Sequence, residues 1–122
     1  MNEDLPESVV ICDVTIRDGE QTPGVSFRLE DKITVVKKLD AMGVPQIQVG
    51  IAGSSKAAKE EAEAICNLGL SSKIEAMTRG TFDGWRGDVD AAVRSGADIV
   101  HSFIPTSRYF RGIIAHCRRK RR

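Results

Sequence analysis

Residues 29–51 read LEDKITVVKKLDAMGVPQIQVGI, and this stretch sets the pattern for the whole chain. Leu29, Ile33, Val36, Leu39 and Met42 recur at three- and four-residue intervals, which predicts one buried face of a helix. Gly43 follows at the position where helices commonly end in a left-handed residue. The run 46–51, QIQVGI, is short and follows Pro45, and it reads as strand two.

Working outward, the same unit recurs. Upstream, SVVICDVTI (8–16) reads as strand one. Downstream, SSKAAKEEAEAICNLG (54–69) is an Ala- and Glu-rich helix with a serine start and Gly69 as its stop. SKIEAMT (72–78) is strand three, 83–95 a third helix stopped by Gly96, and ADIVHSFI (97–104) strand four. Gly43, Gly69 and Gly96 stand 26 and 27 residues apart, each just before a strand. Strand and helix alternating on that period mean βαβ units and a parallel sheet. An open doubly wound sheet and part of a (β/α)8 barrel both fit. A barrel closes only with eight strands and typically ~250 residues, so in a barrel this chain of 122 residues supplies one half.

Composition bounds the remaining classes. A hydrophobic fraction of 41% with 29% charge describes one soluble domain. No apolar run approaches the ~20 residues of a membrane span, and the acidic start lacks the order of a signal peptide. Cys12, Cys66 and Cys117 show no metal-ligand spacing and read as thiols in a reducing cytosol. The net charge of +1 becomes −4 when the five basic residues 118–122 are removed, so the basic character is terminal. That tail is read either as the product of an interrupted frame or as a segment attracting RNA or an acidic surface. No aromatic-rich face accompanies it, and no nucleic-acid partner is expected.

Chemistry in parallel α/β proteins collects at the C-terminal ends of strands. Arg17 and Asp18 fall there, in the segment CDVTIRDGEQTPGVSF (12–27). A carboxylate at a strand mouth can ligate a hard divalent cation, and an adjacent arginine can stabilise an oxygen gaining negative charge. A plain surface ion pair accounts for the same two residues. His101 likewise reads as a site residue or as a structural strand histidine. Phe82 and Trp85 read as packing groups.

Order and spacing extend this. DVTIRDGEQTPGVSF closely resembles the opening of the isopropylmalate synthase and homocitrate synthase family, whose signature is Leu-Arg-Asp/Glu-Gly-x-Gln, ten residues, then Lys. Arg17, Asp18, Gly19, Gln21 and Lys32 match, with Ile16 in place of Leu. KLDAMGVPQIQVGIAG and GADIVHSFIPTS resemble the family's second and fourth strands. The resemblance implies the N-terminal half, about four βα units, of a TIM (β/α)8 barrel, with residues 1–112 as a partial catalytic domain and 113–122 as a tail. It implies a cytoplasmic acyltransferase of amino-acid biosynthesis. That enzyme condenses acetyl-CoA with a 2-oxo acid in a Claisen-type reaction, with a divalent metal (Mg, Mn or Zn) polarising the ketone. A homo-oligomer is implied for the full-length family.

Carried over residue by residue, Asp18 would be a metal ligand and Arg17 the catalytic oxyanion group and a substrate contact. Gln21, Arg79, His101 and Thr106 would contact substrate, with Met77 and Ser107 nearby. Gln48 stands where many relatives carry Glu. The family's further metal ligands, a His-x-His pair, have no counterpart here, since the two histidines are His101 and His116. The chain is therefore expected to be inactive alone, and its open strand edges are expected to make it associate, aggregate or stay partly disordered. A citramalate-type condensing relative and a non-catalytic half-barrel interaction module are the competing readings.

Overall fold

The computed structural model describes residues 6–80, 84–110 and 112; Phe82, His116, Cys117 and the basic tail lie outside them. The elements are β1 (Cys12–Asp13), α1 (Thr15–Asp18), α2 (Leu29–Ala41), β2 (Gln46–Gln48), α3 (Lys56–Cys66), β3 (Lys73–Arg79), α4 (Trp85–Arg94) and β4 (Ile99–Phe103). Short 3-10 turns occupy Gly19–Gln21 and Ala52–Ser54.

All four strands are parallel and lie in the order β1-β2-β3-β4. A doubly wound sheet reverses its strand order at a switch point; this sheet never reverses. Each right-handed crossover therefore delivers its helix to the same face, and α2 packs on α3 and α3 on α4. The chain is the N-terminal part of a TIM barrel, and the choice left open by the sequence is resolved.

The core between sheet and helices is built from Ile16, Val36, Ile47, Ile65 and Ile74, with Ile33, Leu39, Val44 and Leu68 packed around it. Strand alternation turns Ile47, Ile74, Ala76 and Thr78 toward this layer, all of them buried. The opposite face of the sheet carries Gln46, Gln48, Glu75 and Met77.

The helix ends follow sequence chemistry. Arg28 N–H donates to Asp31 Oδ2 at 3.2 Å at the start of α2. Gly43 N–H donates to Asp40 O (2.9 Å) and Val44 N–H to Leu39 O (3.1 Å), a Schellman ending that needs the positive φ of +79° found at Gly43. Ser55 Oγ accepts from Ala58 N–H at 3.0 Å and caps α3.

Two expectations shift. Strand one is far shorter than 8–16: only Cys12 and Asp13 pair with β2, and Val9, Val10 and Ile11 are exposed. Its end is set by Asp13, whose carboxylate accepts the Thr15 N–H (2.9 Å) and the Thr15 hydroxyl (3.1 Å). This local turn competes with the ladder and starts α1, where Arg17 and Asp18 N–H groups donate to Val14 O. Nothing in the structure explains why Val9, Val10 and Ile11 stay out of the ladder. In α2, Met42 sits past the last helical residue and is 77% exposed, while the charged Lys32 is buried at 6%. Among the described residues no helix is long and apolar enough to cross a membrane.

Candidate active site

The turn that ends β1 brings Arg17 to the mouth of β2. Its Nε–H donates to Gln48 Oε1 at 2.6 Å and its Nη1–H to Asp18 Oδ1 at 2.6 Å. Gly50, with φ +98°, lies against the stem of Arg17: a Cβ there would stand 3.6 Å from Arg17 Cγ. Arg17 is largely buried, Asp18 is more than half exposed, and Arg17 Nη2 has no hydrogen-bond partner among the described residues. A guanidinium held at two edges with a third left over can donate to an anionic oxygen.

A cleft of about 230 Å³ opens at this point and is lined by Arg17, Gln21, Lys32, Ser54, Glu61 and Met77, among others. Three of the residues expected at the site, Arg17, Gln21 and Met77, share this cleft. Lys32 forms one wall. Its ammonium donates to Glu61 Oε2 (2.6 Å) and Glu20 Oε2 (2.9 Å). Burial alone would lower its pKa, but the hydrogen bonds to Glu61 and Glu20 outweigh that and raise it. Glu20 also accepts from Phe27 N–H at 3.2 Å. The two ends of the loop between α1 and α2 are thereby joined, and through Lys32 they are tied to α3.

The second cluster lies across the sheet face opposite the helices. Glu75, 4% exposed, accepts from Gln46 Nε2–H and Gln48 Nε2–H, and its Oε1 lies 2.9 Å from His101 Nδ1. Gln48 links this cluster to Arg17. One hydrogen-bonded run thus leads from Asp18 and Arg17 of α1 through Gln48 on β2 and Glu75 on β3 to His101 on β4. His101 belongs to this run and does not line the cleft.

The other expected residues lie elsewhere. The Arg79 guanidinium grips the buried carboxylate of Asp88 on α4 at 2.8 and 3.0 Å, and the Arg79 N–H donates to it at 3.2 Å. This hydrogen bonding raises the Arg79 pKa. Thr106 is exposed in the segment after β4. Cys12 and Cys66 are free thiols whose pKa values are pushed up, first of all by burial.

Glu75 and Gln46 escaped the sequence reading. The signal was present in strand three: alternation in KIEAMT places Glu75 on the face opposite Ile74 and Ala76, an unusual position for a lone carboxylate unless it has partners.

Asp18 is the one residue of the expected metal set. Among the described residues no group of three or more His, Cys, Asp or Glu side chains could hold a metal ion. The described residues do not make a metal centre by themselves.

A parallel sheet wound in one direction, with an Arg-Asp pair at the mouth of its first strand, defines the class: the opening strands of a (β/α)8-barrel protein. The chain belongs to the HMGL-like family, whose model matches residues 8–121. It is 42% identical over 106 residues to 2-isopropylmalate synthase of Methanocaldococcus jannaschii, covering 87% of this chain and 20% of that protein. It is 45% identical over 102 residues to Homocitrate synthase AksA of Methanosarcina mazei, covering 84% of this chain and 24% of that protein. The chain thus spans about a fifth to a quarter of the length of these curated relatives.

Proposed function

We propose that this chain is the site-bearing N-terminal part of an enzyme that condenses acetyl-CoA with a 2-oxo acid, of the homocitrate or isopropylmalate synthase type. The observation that carries the reading is Arg17, anchored by Gln48 and Asp18 beside a cleft that also presents Gln21. In such a condensation the ketone oxygen of the 2-oxo acid gains negative charge as the new carbon–carbon bond forms. Nη2 of Arg17, without a hydrogen-bond partner among the described residues, is suited to donate to that oxygen, because its guanidinium is already fixed and need not reorganise. Gln21 would hold a polar group of the 2-oxo acid. Asp18 would give one ligand to Mg²⁺, Mn²⁺ or Zn²⁺, the others coming from outside the described residues. His101, Arg79 and Thr106 remain candidate substrate contacts, Arg79 only if its grip on Asp88 loosens.

The chain alone is proposed to be inactive, since among the described residues no group of three or more His, Cys, Asp or Glu side chains could hold a metal ion. The test is complementation. The chain is produced together with the remaining barrel of a homocitrate synthase, and CoA release from acetyl-CoA is followed with Mn²⁺ and a panel of 2-oxo acids. Release by the pair, none by either part, and loss in Asp18→Ala and Arg17→Ala support the reading. A well-folded pair that releases no CoA with any 2-oxo acid overturns it.

A further inference from the structure

The run of hydrogen bonds across the open sheet face has a direction, and Glu75 sets it. Arg17 at one end can only donate, and an ionised carboxylate can only accept. Gln48 stands between them with one donor group and one acceptor group. With Glu75 taking the Gln48 Nε2–H, the amide carbonyl is left for Arg17 Nε–H, as found at 2.6 Å. The same carboxylate oxygen faces His101 Nδ1 at 2.9 Å, which makes Nδ1 the protonated nitrogen and leaves Nε2 without a partner among the described residues. Gln46 Nε2–H takes the second oxygen. Glu75 is thus held by three donors from β2 and β4. Each of the three groups has an alternative orientation or tautomer; Glu75 has none.

We propose that Glu75 is a positioning residue. Its charge orients Gln48, which fixes the Arg17 guanidinium at the mouth of β1, and the same charge selects the Nδ1–H tautomer of His101 on β4. One buried carboxylate therefore sets two polar groups at opposite edges of the sheet. The value of this for catalysis rests on the condensing reading of Arg17; the network itself rests on the geometry.

The reciprocal pair of variants tests it. In Glu75→Gln the residue at 75 gains a donor. It no longer dictates the Gln48 amide, and turning that amide sets a donor against Arg17 Nε–H. In the double variant Gln48→Glu with Glu75→Gln the net charge is unchanged. The carboxylate, now at position 48, accepts directly from Arg17. The new amide at position 75 must donate both to that carboxylate and to the ring nitrogen Nδ1 of His101. The ring must then carry its proton on Nε2.

The measurement is nitrogen-15 NMR of the whole 122-residue chain, reading solvent exchange of the Arg17 Nε–H and the ring nitrogen shifts of His101. In the wild type the Nε–H is protected and the ring is protonated at Nδ1. Glu75→Gln should speed the exchange on the order of tenfold, the equivalent of one hydrogen bond. The double variant should restore protection and invert the tautomer. A purely structural role for Glu75 would not invert a tautomer. Wild-type exchange and tautomer in Glu75→Gln overturn the proposal, as does a double variant that keeps the Nδ1–H ring. Should the single variant fail to fold, the double variant decides: a dispersed spectrum with the inverted ring supports the proposal, and a double variant as unfolded as the single overturns it. No substrate or metal enters this readout. The predicted pattern without CoA release in the complementation assay therefore refutes the condensing reading alone.

Discussion

Lys32 of α2 and Glu61 of α3 meet at 2.6 Å, with the lysine side chain almost wholly buried and Glu20 closing the other side at 2.9 Å. Removing the ammonium leaves two carboxylates facing each other without a cation. Both retain about a third of their exposure, so water relieves part of the cost. Lys32→Met should lower stability by about 1–3 kcal/mol, read as a fall in the urea midpoint. The raised pKa of Lys32 gives the sign of the pH dependence. Its contribution is complete below the ordinary lysine value of roughly 10.4 and is lost as pH rises through the higher folded value. The wild type should show that alkaline loss, and Lys32→Met should lack it.

The acid limb has different owners. Asp40, at the end of α2, accepts from Ser72 N–H (2.7 Å) and the Ser72 hydroxyl (2.8 Å). Asp98, before β4, accepts from Ile74 N–H (2.9 Å) and Lys73 Nζ (3.0 Å). Both carboxyl pKa values are lowered, Asp40 first by the Ser72 backbone bond and Asp98 first by the Ile74 backbone bond. Their stabilisation is present above the ordinary value of roughly 3.9 and disappears as pH falls through the lower folded values. Asp40→Asn and Asp98→Asn should each be less stable at neutral pH and show a flatter decline under acid, measured by denaturant titration at a series of pH values.

Two glycine substitutions should separate backbone strain from crowding. Gly43 has φ +79°, and a Cβ added there would meet nothing within 4 Å, so Gly43→Ala should cost only the left-handed penalty of about 1 kcal/mol. Gly53 has ordinary φ, but its Cβ would lie 2.6 Å from Asp88 Cα. Relief requires moving the backbone of α4 away, and Gly53→Ala should cost more, about 2–3 kcal/mol. Equal thermal midpoints for the two variants would contradict this ordering.

The sheet edges of the isolated chain should drive association. Val9, Val10 and Ile11 beside β1 and Phe103 and Ile104 at the end of β4 are exposed apolar residues, next to strands that lack an outer neighbour among the described residues. Sedimentation of the 122-residue chain over a range of concentrations should show mass increasing with concentration. A monomer at every concentration, with a single cooperative unfolding transition, would count against it.

Elements with a strong local period were legible from the chain. The α2 stripe through Ile33, Val36 and Leu39, the Ser55 cap and the stop at Gly43 all depend on residues within a turn or two of one another. The Arg-Asp pair was legible as a candidate site for the same reason. The end of β1 was not, because the Asp13 turn competes with the ladder and a run of Val and Ile does not reveal which wins. Nor was the burial of Lys32, whose partner Glu61 lies 29 residues away.

By itself the sequence determined strands alternating with helices and the residues at the mouth of the first strand, because side-chain period and turn chemistry act over short spans. Only the tertiary structure decided the winding and the polar network. Strand order is a property of the assembled sheet, and it distinguished a barrel from a doubly wound fold. Arg17 meets Gln48 across 31 residues, and Glu75 meets His101 across 26. Such pairs form when parallel register brings Gln48 level with Glu75 and sets His101 on the adjoining strand, and register is fixed by how whole strands pack.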